Sequence, residues 1–276
     1  QTRAVVRHLR LSGDWHDPLP KVSEQKLASN LVKELEAVAE SLPQHFEHDF
    51  GKGIPDDVFE VDGREDRLLQ LPDGIHMVRA MPSDKAAIRL SGTIDGDFEI
   101  TYGFKDLQIG DEEPTWHCGL GMTVQLDNGN RDCLDVCIRR DRLNGLPDIA
   151  FVHNKKNQGG GYKWVRGWTR RELSTSGRLR LVRRGGTIHG LFAQGDSSQF
   201  HLVGSTEIPL GPIPPLGFYN YSVGGKGMSV RGTWTDLTIR VETIDLQFAD
   251  AAGTLEELNR ARRDMGALDV DLTKQG

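Results

Sequence analysis

Asp95, Asp97 and Glu99 stand at alternate positions, the spacing at which one strand carries side chains down one side. With Phe98 and Ile100 facing a core, Asp97 and Glu99 point outward together, their Cβ atoms within ~7 Å. A retaining glycosidase sets a nucleophile and an acid/base about 5 Å apart, so Asp97 and Glu99 form the candidate catalytic pair. Asp95-Gly96, however, reads as a turn. The other acidic segment, Asp132-Cys-Leu-Asp135, puts its carboxylates on opposite faces and has no Glu, so it fails the same test.

A second constellation suits binding. Residues 155 to 184 hold ten Lys and Arg against the single acid Glu172, a local charge of +9 that leaves -15 on the remainder of a chain whose net charge is -6. Tyr162, Trp164 and Trp168 lie in this segment, after a Gly159-Gly-Gly161 run that reads as a mobile loop. Aromatic faces stack on sugar C–H surfaces, and Arg offers paired donors to carboxylate or sulfate. Tyr219 and Tyr221, on one strand face opposite Phe218, make a further platform. The candidate ligand-binding residues are therefore Trp164, Trp168, Tyr219 and Tyr221 for stacking, with Arg139, Arg166 and Arg170 for acidic substituents of a polysaccharide. An alternative assigns Arg178, Arg180 and Arg184 to the solvated face of a strand, the tryptophans to a sandwich edge, and the tyrosines to the core with Phe218 outward. Single-stranded nucleic acid uses similar ingredients, but the acidic remainder and the lack of a nucleic-acid motif argue against it.

Other chemistries fit poorly. The scattered histidines show no H-E-x-x-H spacing, and neither a G-x-S-x-G elbow nor a phosphate loop occurs. On a strand Cys133 and Cys137 stand ~13 Å apart, too far to share one ion. They read as small buried thiols, with a bridge from Cys118 left open.

These groups need a scaffold. Leu27, Leu31, Leu35, Val38 and Leu42 recur at three or four residues, predicting a helix from Ser23 to Leu42. Alternation then takes over: Phe98, Ile100, Tyr102 and Phe104 share one parity, as do Leu120, Met122, Val124 and Leu126. Thirty-two glycines, many in Asp-Gly, Asn-Gly and Gly-Gly pairs, supply turns for a dozen or so strands, and Arg178 to Ala193 around Gly185-Gly186 is the clearest hairpin. Strands without intervening helices exclude a doubly wound sheet and predict an all-β jelly-roll sandwich of two antiparallel sheets. Thr254 with Glu257 forms a capping box for a C-terminal helix ending near Gly266. Flanking helices thus bracket the sandwich, giving an extension over 1–45, a sandwich over 46–245 and a helix and tail over 246–276. No apolar run approaches the ~18 residues of a membrane helix. The start at Gln1 suggests a mature product or a piece of a longer chain with neighbouring domains.

Phe46-Glu-His-Asp-Phe50, Ile94-Asp-Gly-Asp-Phe-Glu-Ile100, Gly177-Arg-Leu-Arg-Leu-Val182 with Ile188-His-Gly-Leu-Phe192, and Trp234-Thr-Asp-Leu-Thr-Ile239 resemble, in order, elements of the concanavalin A-like lectin/glucanase superfamily. More narrowly, the chain looks like a domain of unknown function from large planctomycete proteins, and in outline is similar to 3-keto-disaccharide hydrolase domains. The resemblance implies glycan-related work in an extracellular or periplasmic protein. It also implies a structural calcium between the first and last strands, at Asp49 and Asp236; no other cofactor is expected. Three roles follow: a carbohydrate-binding module, a glycan-cleaving hydrolase using Asp97 and Glu99, or a structural domain whose helices mediate assembly.

Overall fold

A computed structural model describes residues 24–63, 65–79, 86–110, 117–126, 133–141, 147–156, 162–170, 174–213, 216–223 and 229–246. The expected C-terminal helix, the Gly159–Gly161 run and the Asn128-Gly129 and Asn144-Gly145 turns lie outside them. The chain enters through one helix, α1 (Glu24–Glu40), and then forms fifteen strands among the described residues.

Two antiparallel sheets result. One has eight strands: β13 (His201–Glu207), β12 (Thr187–Gln194), β11 (Gly177–Arg184), β6 (Gly92–Ile109), β15 (Val230–Leu246), β4 (Gly74–Arg79) and β3 (Leu68–Leu71) in order, with β1 (Gln44–Asp49) paired further along β15. The other has seven: β10 (Tyr162–Arg170), β9 (Pro147–Lys156), β8 (Cys133–Asp141), β7 (His117–Gln125), β14 (Gly217–Val223), β5 (Ala86–Leu90) and β2 (Phe59–Gly63). The all-β sandwich expected from alternation is the one formed.

Period-2 patterning dictates the core. Phe98, Ile100, Tyr102 and Phe104 on β6 turn inward, as do Leu120, Met122 and Val124 on β7, and all are buried in one cluster that both sheets supply. At its centre Tyr102, Phe218 and Trp234 pack with ring centroids 5.2 to 5.6 Å apart, within the range of favourable aromatic pairs. Phe218 therefore faces the core, which settles the parity of β14 and sends Tyr219 to the other face.

The helix covers part of the outer face of the eight-stranded sheet. Val32 and Leu35 of α1 pack on Val182, Leu191, Ala193 and Phe200, with Leu31 beside them. The buried stripe is centred on Val32, Leu35 and Ala39, a slight rotation from the expected one, with Val38 only half-buried. On β11 and β12 the sheet residues Val182 and Leu191 are apolar on a face that elsewhere carries charge, and the helix seals them.

One local expectation changes. Asp95-Gly96 is no turn, because β6 runs unbroken through it. Gly96 adopts φ +76, and a Cβ there would fall 1.9 Å from Glu242 Oε2, so glycine lets β15 pass at a register irregularity between Val241 and Thr243. Trp164 and Trp168 belong to a strand, the edge strand β10, whose polar composition hides it from a hydrophobic pattern.

Candidate functional site

Register on the seven-stranded sheet gathers most of the proposed binding residues. Tyr219 is opposite Gly121, which is opposite Cys137, which is opposite Ala150. The row on one side runs Tyr221, Gly119, Arg139 and Asp148. On the other side it runs Gly217, Thr123, Asp135, Val152 and Arg166, and beyond that Gln125, Cys133, Asn154 and Trp164. Leu120, Met122 and Phe218 alternate with Gly119, Gly121 and Tyr219 and point inward, so Tyr219 belongs to the outer face. Arg170 pairs with inward-facing Ile149, and Trp168 falls in the irregularity between Arg166 and Thr169, so those two leave the alignment. The side chains of Arg139, Trp164, Arg166, Trp168, Arg170 and Tyr221 are outside the described set.

Tyr219 is described, and it is anchored. Its ring packs on Cys137, Ala150 and Val152, and its hydroxyl donates to Asp135 Oδ1 at 2.6 Å. A charge-assisted bond of this length is at the strong end of such contacts. The floor beside the ring is built from small residues: a Cβ on Gly121 would lie 2.7 Å from Cys137 Cβ. Asp135 is the residue that sequence reasoning missed. Its partner is 84 positions away, and only the β14–β7–β8 register brings them together. Cys137 is buried and Cys133 half-buried.

The proposed catalytic pair lies on the opposite face of the molecule. Asp97 Oδ1 accepts from the backbone N–H of Gly185 at 2.5 Å and so holds the β11–β12 turn. Glu99 is 1% exposed. Its Oε1 accepts from Arg240 Nη1 at 2.8 Å, while Oε2 lies 3.1 Å from Arg180 Nη1 without hydrogen-bond alignment. Arg180 in turn donates Nε–H to Thr101 Oγ1, covers the Phe200 ring at 3.6 Å, and reaches Glu36 of α1 at 3.7 Å. Burial pushes the Arg180 guanidinium below its usual value, and Glu99 and Glu36 oppose that shift. The two carboxylates thus share a strand face but are held by different partners.

Asp49 and Asp236 oppose one another where β1 meets β15, the first and last strands of the sandwich. Asp49 Oδ1 accepts from Gly51 N–H at 2.9 Å, and Asp236 takes the Thr235 hydroxyl at 2.7 Å and faces Arg178 at 3.6 Å. Among the described residues no group of three or more His, Cys, Asp and Glu could hold a metal ion. Calcium takes six to eight oxygens, and the Arg178 guanidinium faces one of these two carboxylates.

Solved structures share this fold at low identity. LamAcat from Zobellia galactanivorans is 10% identical with a TM-score of 0.53, covering 74% of this chain and 99% of that one. LamA from the same organism, solved in complex with laminaritriose and laminaritetraose, is 8% identical with a TM-score of 0.51, covering 72% of this chain and 100% of that one. GH43 BlXynB from Bacillus licheniformis is 11% identical with a TM-score of 0.50, covering 71% of this chain and 39% of that one. At such identities the likeness is one of fold. No curated protein matches by sequence. Among the described residues no helix is long and apolar enough to cross a membrane. A family profile described as "Protein of unknown function (DUF1583) C domain" matches residues 22–276, which takes in α1 and every strand of both sheets, and the chain belongs to that family.

Proposed function

We propose that this domain is a carbohydrate-recognition module that holds a glycan across the outer face of its seven-stranded sheet. The observation that carries the reading is the register: Tyr219, Tyr221, Arg139, Arg166 and Trp164 fall in adjacent rows of the sheet, beside Gly119, Gly121, Cys137 and Ala150. From β14 to β10 is four strand spacings, about 19 Å, enough for several sugar rings side by side. Tyr219, fixed by Asp135 and packed on the buried Cys137, Ala150 and Val152, offers a face whose ordering cost is already met in the free protein. The arginine positions in these rows, and the excess of positive charge over 155 to 184, favour acidic substituents. Asp97 and Glu99 are engaged by a turn and by two arginines, which favours binding over hydrolysis at that pair. A polymeric ligand and the rows of aromatic positions both suit a domain carried within a larger, exported protein.

Affinity electrophoresis through sulfated, uronate-rich and neutral polysaccharides tests this. The wild type should be retarded by the acidic polymers and less so as salt rises, and Tyr219→Ala should weaken retardation about fivefold or more, the scale of a central contact. Asp135→Asn should give a smaller loss, since it loosens the ring without removing it. Absence of retardation by every polymer, or unchanged binding in Tyr219→Ala, would overturn the proposal.

A further inference from the structure

The outer face of the eight-stranded sheet carries a second feature that the glycan-face reading does not use. Beside α1 a cleft of about 170 Å³ is lined by Glu47, Glu99, Thr101, Arg178, Arg180, Asp236, Thr238 and Arg240, with almost no apolar surface. Neighbouring rows of β1, β15, β6 and β11 supply it: Glu47 pairs with Thr238, Thr238 with Thr101, and Thr101 with Arg180. Gly103 makes room at one end. A Cβ there would meet Asp236 Oδ1 at 2.2 Å, so only glycine lets that carboxylate fold over β6.

We infer that this cleft is a saccharide site for a single hydroxyl-rich ring, on the face opposite the extended glycan surface. Three guanidinium groups face three carboxylates, so the cleft has no net charge and offers little to a multiply charged anion or a metal cation. Its hydrogen-bonding capacity is uneven. Each guanidinium has five N–H donors. Arg240 spends one on Glu99, Arg180 donates Nε–H to Thr101 and holds Nη1 3.1 Å from Glu99 Oε2 without hydrogen-bond alignment, and Arg178 stands 3.6 Å from Asp236. At the floor Glu99 Oε2 is buried without a hydrogen-bond donor. A ligand that fills the cleft must therefore both accept from arginine and donate to carboxylate. Sugar hydroxyls do both, and neighbouring ones on a ring bridge paired Arg and Asp or Glu side chains. A cleft of about 170 Å³ suits one ring and not a chain.

A buried Glu between two arginines is weak support for stability, because apolar replacements of such clusters are often neutral or stabilising. A ligand gives the cluster a use. This inference shares no residue with the glycan face and stands or falls separately from it.

Saturation-transfer NMR of the full chain with glucose, galactose, mannose and xylose, each tested alone, decides it. At least one ring should receive magnetisation from the wild type. The double variant Arg178→Gln/Asp236→Asn should bind about tenfold more weakly, the scale set by losing hydrogen bonds to charged groups, and Tyr219→Ala should bind as wild type does. Glu47→Gln, on an exposed rim residue, gives a second weakened variant in which folding is not at stake. No transfer to any of the four sugars, transfer that survives both cleft variants, or transfer lost only in Tyr219→Ala would overturn the inference. So would sulfate occupying the cleft while every sugar fails to bind.

Discussion

Removing the Glu99 side chain should be the most damaging single change on the outer face of the eight-stranded sheet. Glu99 is 1% exposed and is the common partner of Arg180, itself 13% exposed, and Arg240. Glu99→Ala would leave Arg180 in a site where burial already works against its charge, with Glu36, 3.7 Å away, as the remaining facing acid among the described residues. Stranding one member of a buried ion pair costs about 3–5 kcal/mol. At roughly 2–4 °C per kcal/mol for a domain of this size, the thermal midpoint should fall by roughly 6–20 °C. Arg240→Ala should cost less, about 1–3 kcal/mol, since its side chain is one third exposed and Arg180 still neutralises Glu99. Urea unfolding of the two single variants and the double then gives a coupling free energy, expected between about 0.5 and 3 kcal/mol. Two outcomes would refute the reasoning: a Glu99→Ala midpoint within about 1 °C of wild type, or additive single-variant losses. Either would mean the network is solvated or that Arg180 finds another acceptor at no cost.

Two other predictions concern the same sheet. Leu35 of α1 is 1% exposed against Val182, Leu191 and Phe200, so Leu35→Ala should cost about 2–5 kcal/mol in urea unfolding; a loss under about 0.5 kcal/mol would show that α1 is not part of the cooperative fold. His189 is buried, its Nδ1 lies 2.7 Å from the Ser205 hydroxyl, and burial with Arg184 nearby holds its pKa below the usual 6.5. The unfolded chain then binds a proton that the native state refuses, so stability is fully present above pH 6.5 and falls as the pH drops from there toward the native pKa. His189→Gln should flatten that acid-side decline relative to wild type, measured as midpoint against pH, and an unchanged slope would contradict it.

How far the site could be read in advance differed between its parts. The inward rows were legible because burial forces strict alternation: β6, β7, β11 and β12 appear wherever apolar residues recur at every second position. Edge elements were not. β10 carries aromatic and basic residues with no clean alternation, and β1 and β2 are short and half-polar, so hydrophobic periodicity passes over them. Parity alone also left Tyr219 undecided between core and surface, until Phe218 was found packed on Tyr102 and Trp234. The pairing of Asp97 with Glu99 was local and correctly put them on one face, yet their real partners, Gly185, Arg180 and Arg240, come from β11, β15 and a turn.

By itself the sequence determined what depends on neighbours along the chain: the sandwich class, the amphipathic helix, the Gly185-Gly186 hairpin and the uneven distribution of charge. Tertiary structure decided what depends on which strand lies beside which. Side-chain direction repeats every two residues and can be read from one strand, whereas register fixes contacts between residues 84 or 141 positions apart, such as Tyr219 with Asp135 and Arg240 with Glu99. No local preference encodes those distances. They follow from the packing of the whole sandwich, which turned an acid discarded on spacing into the anchor of the aromatic face and a proposed catalytic glutamate into the floor of a polar cleft.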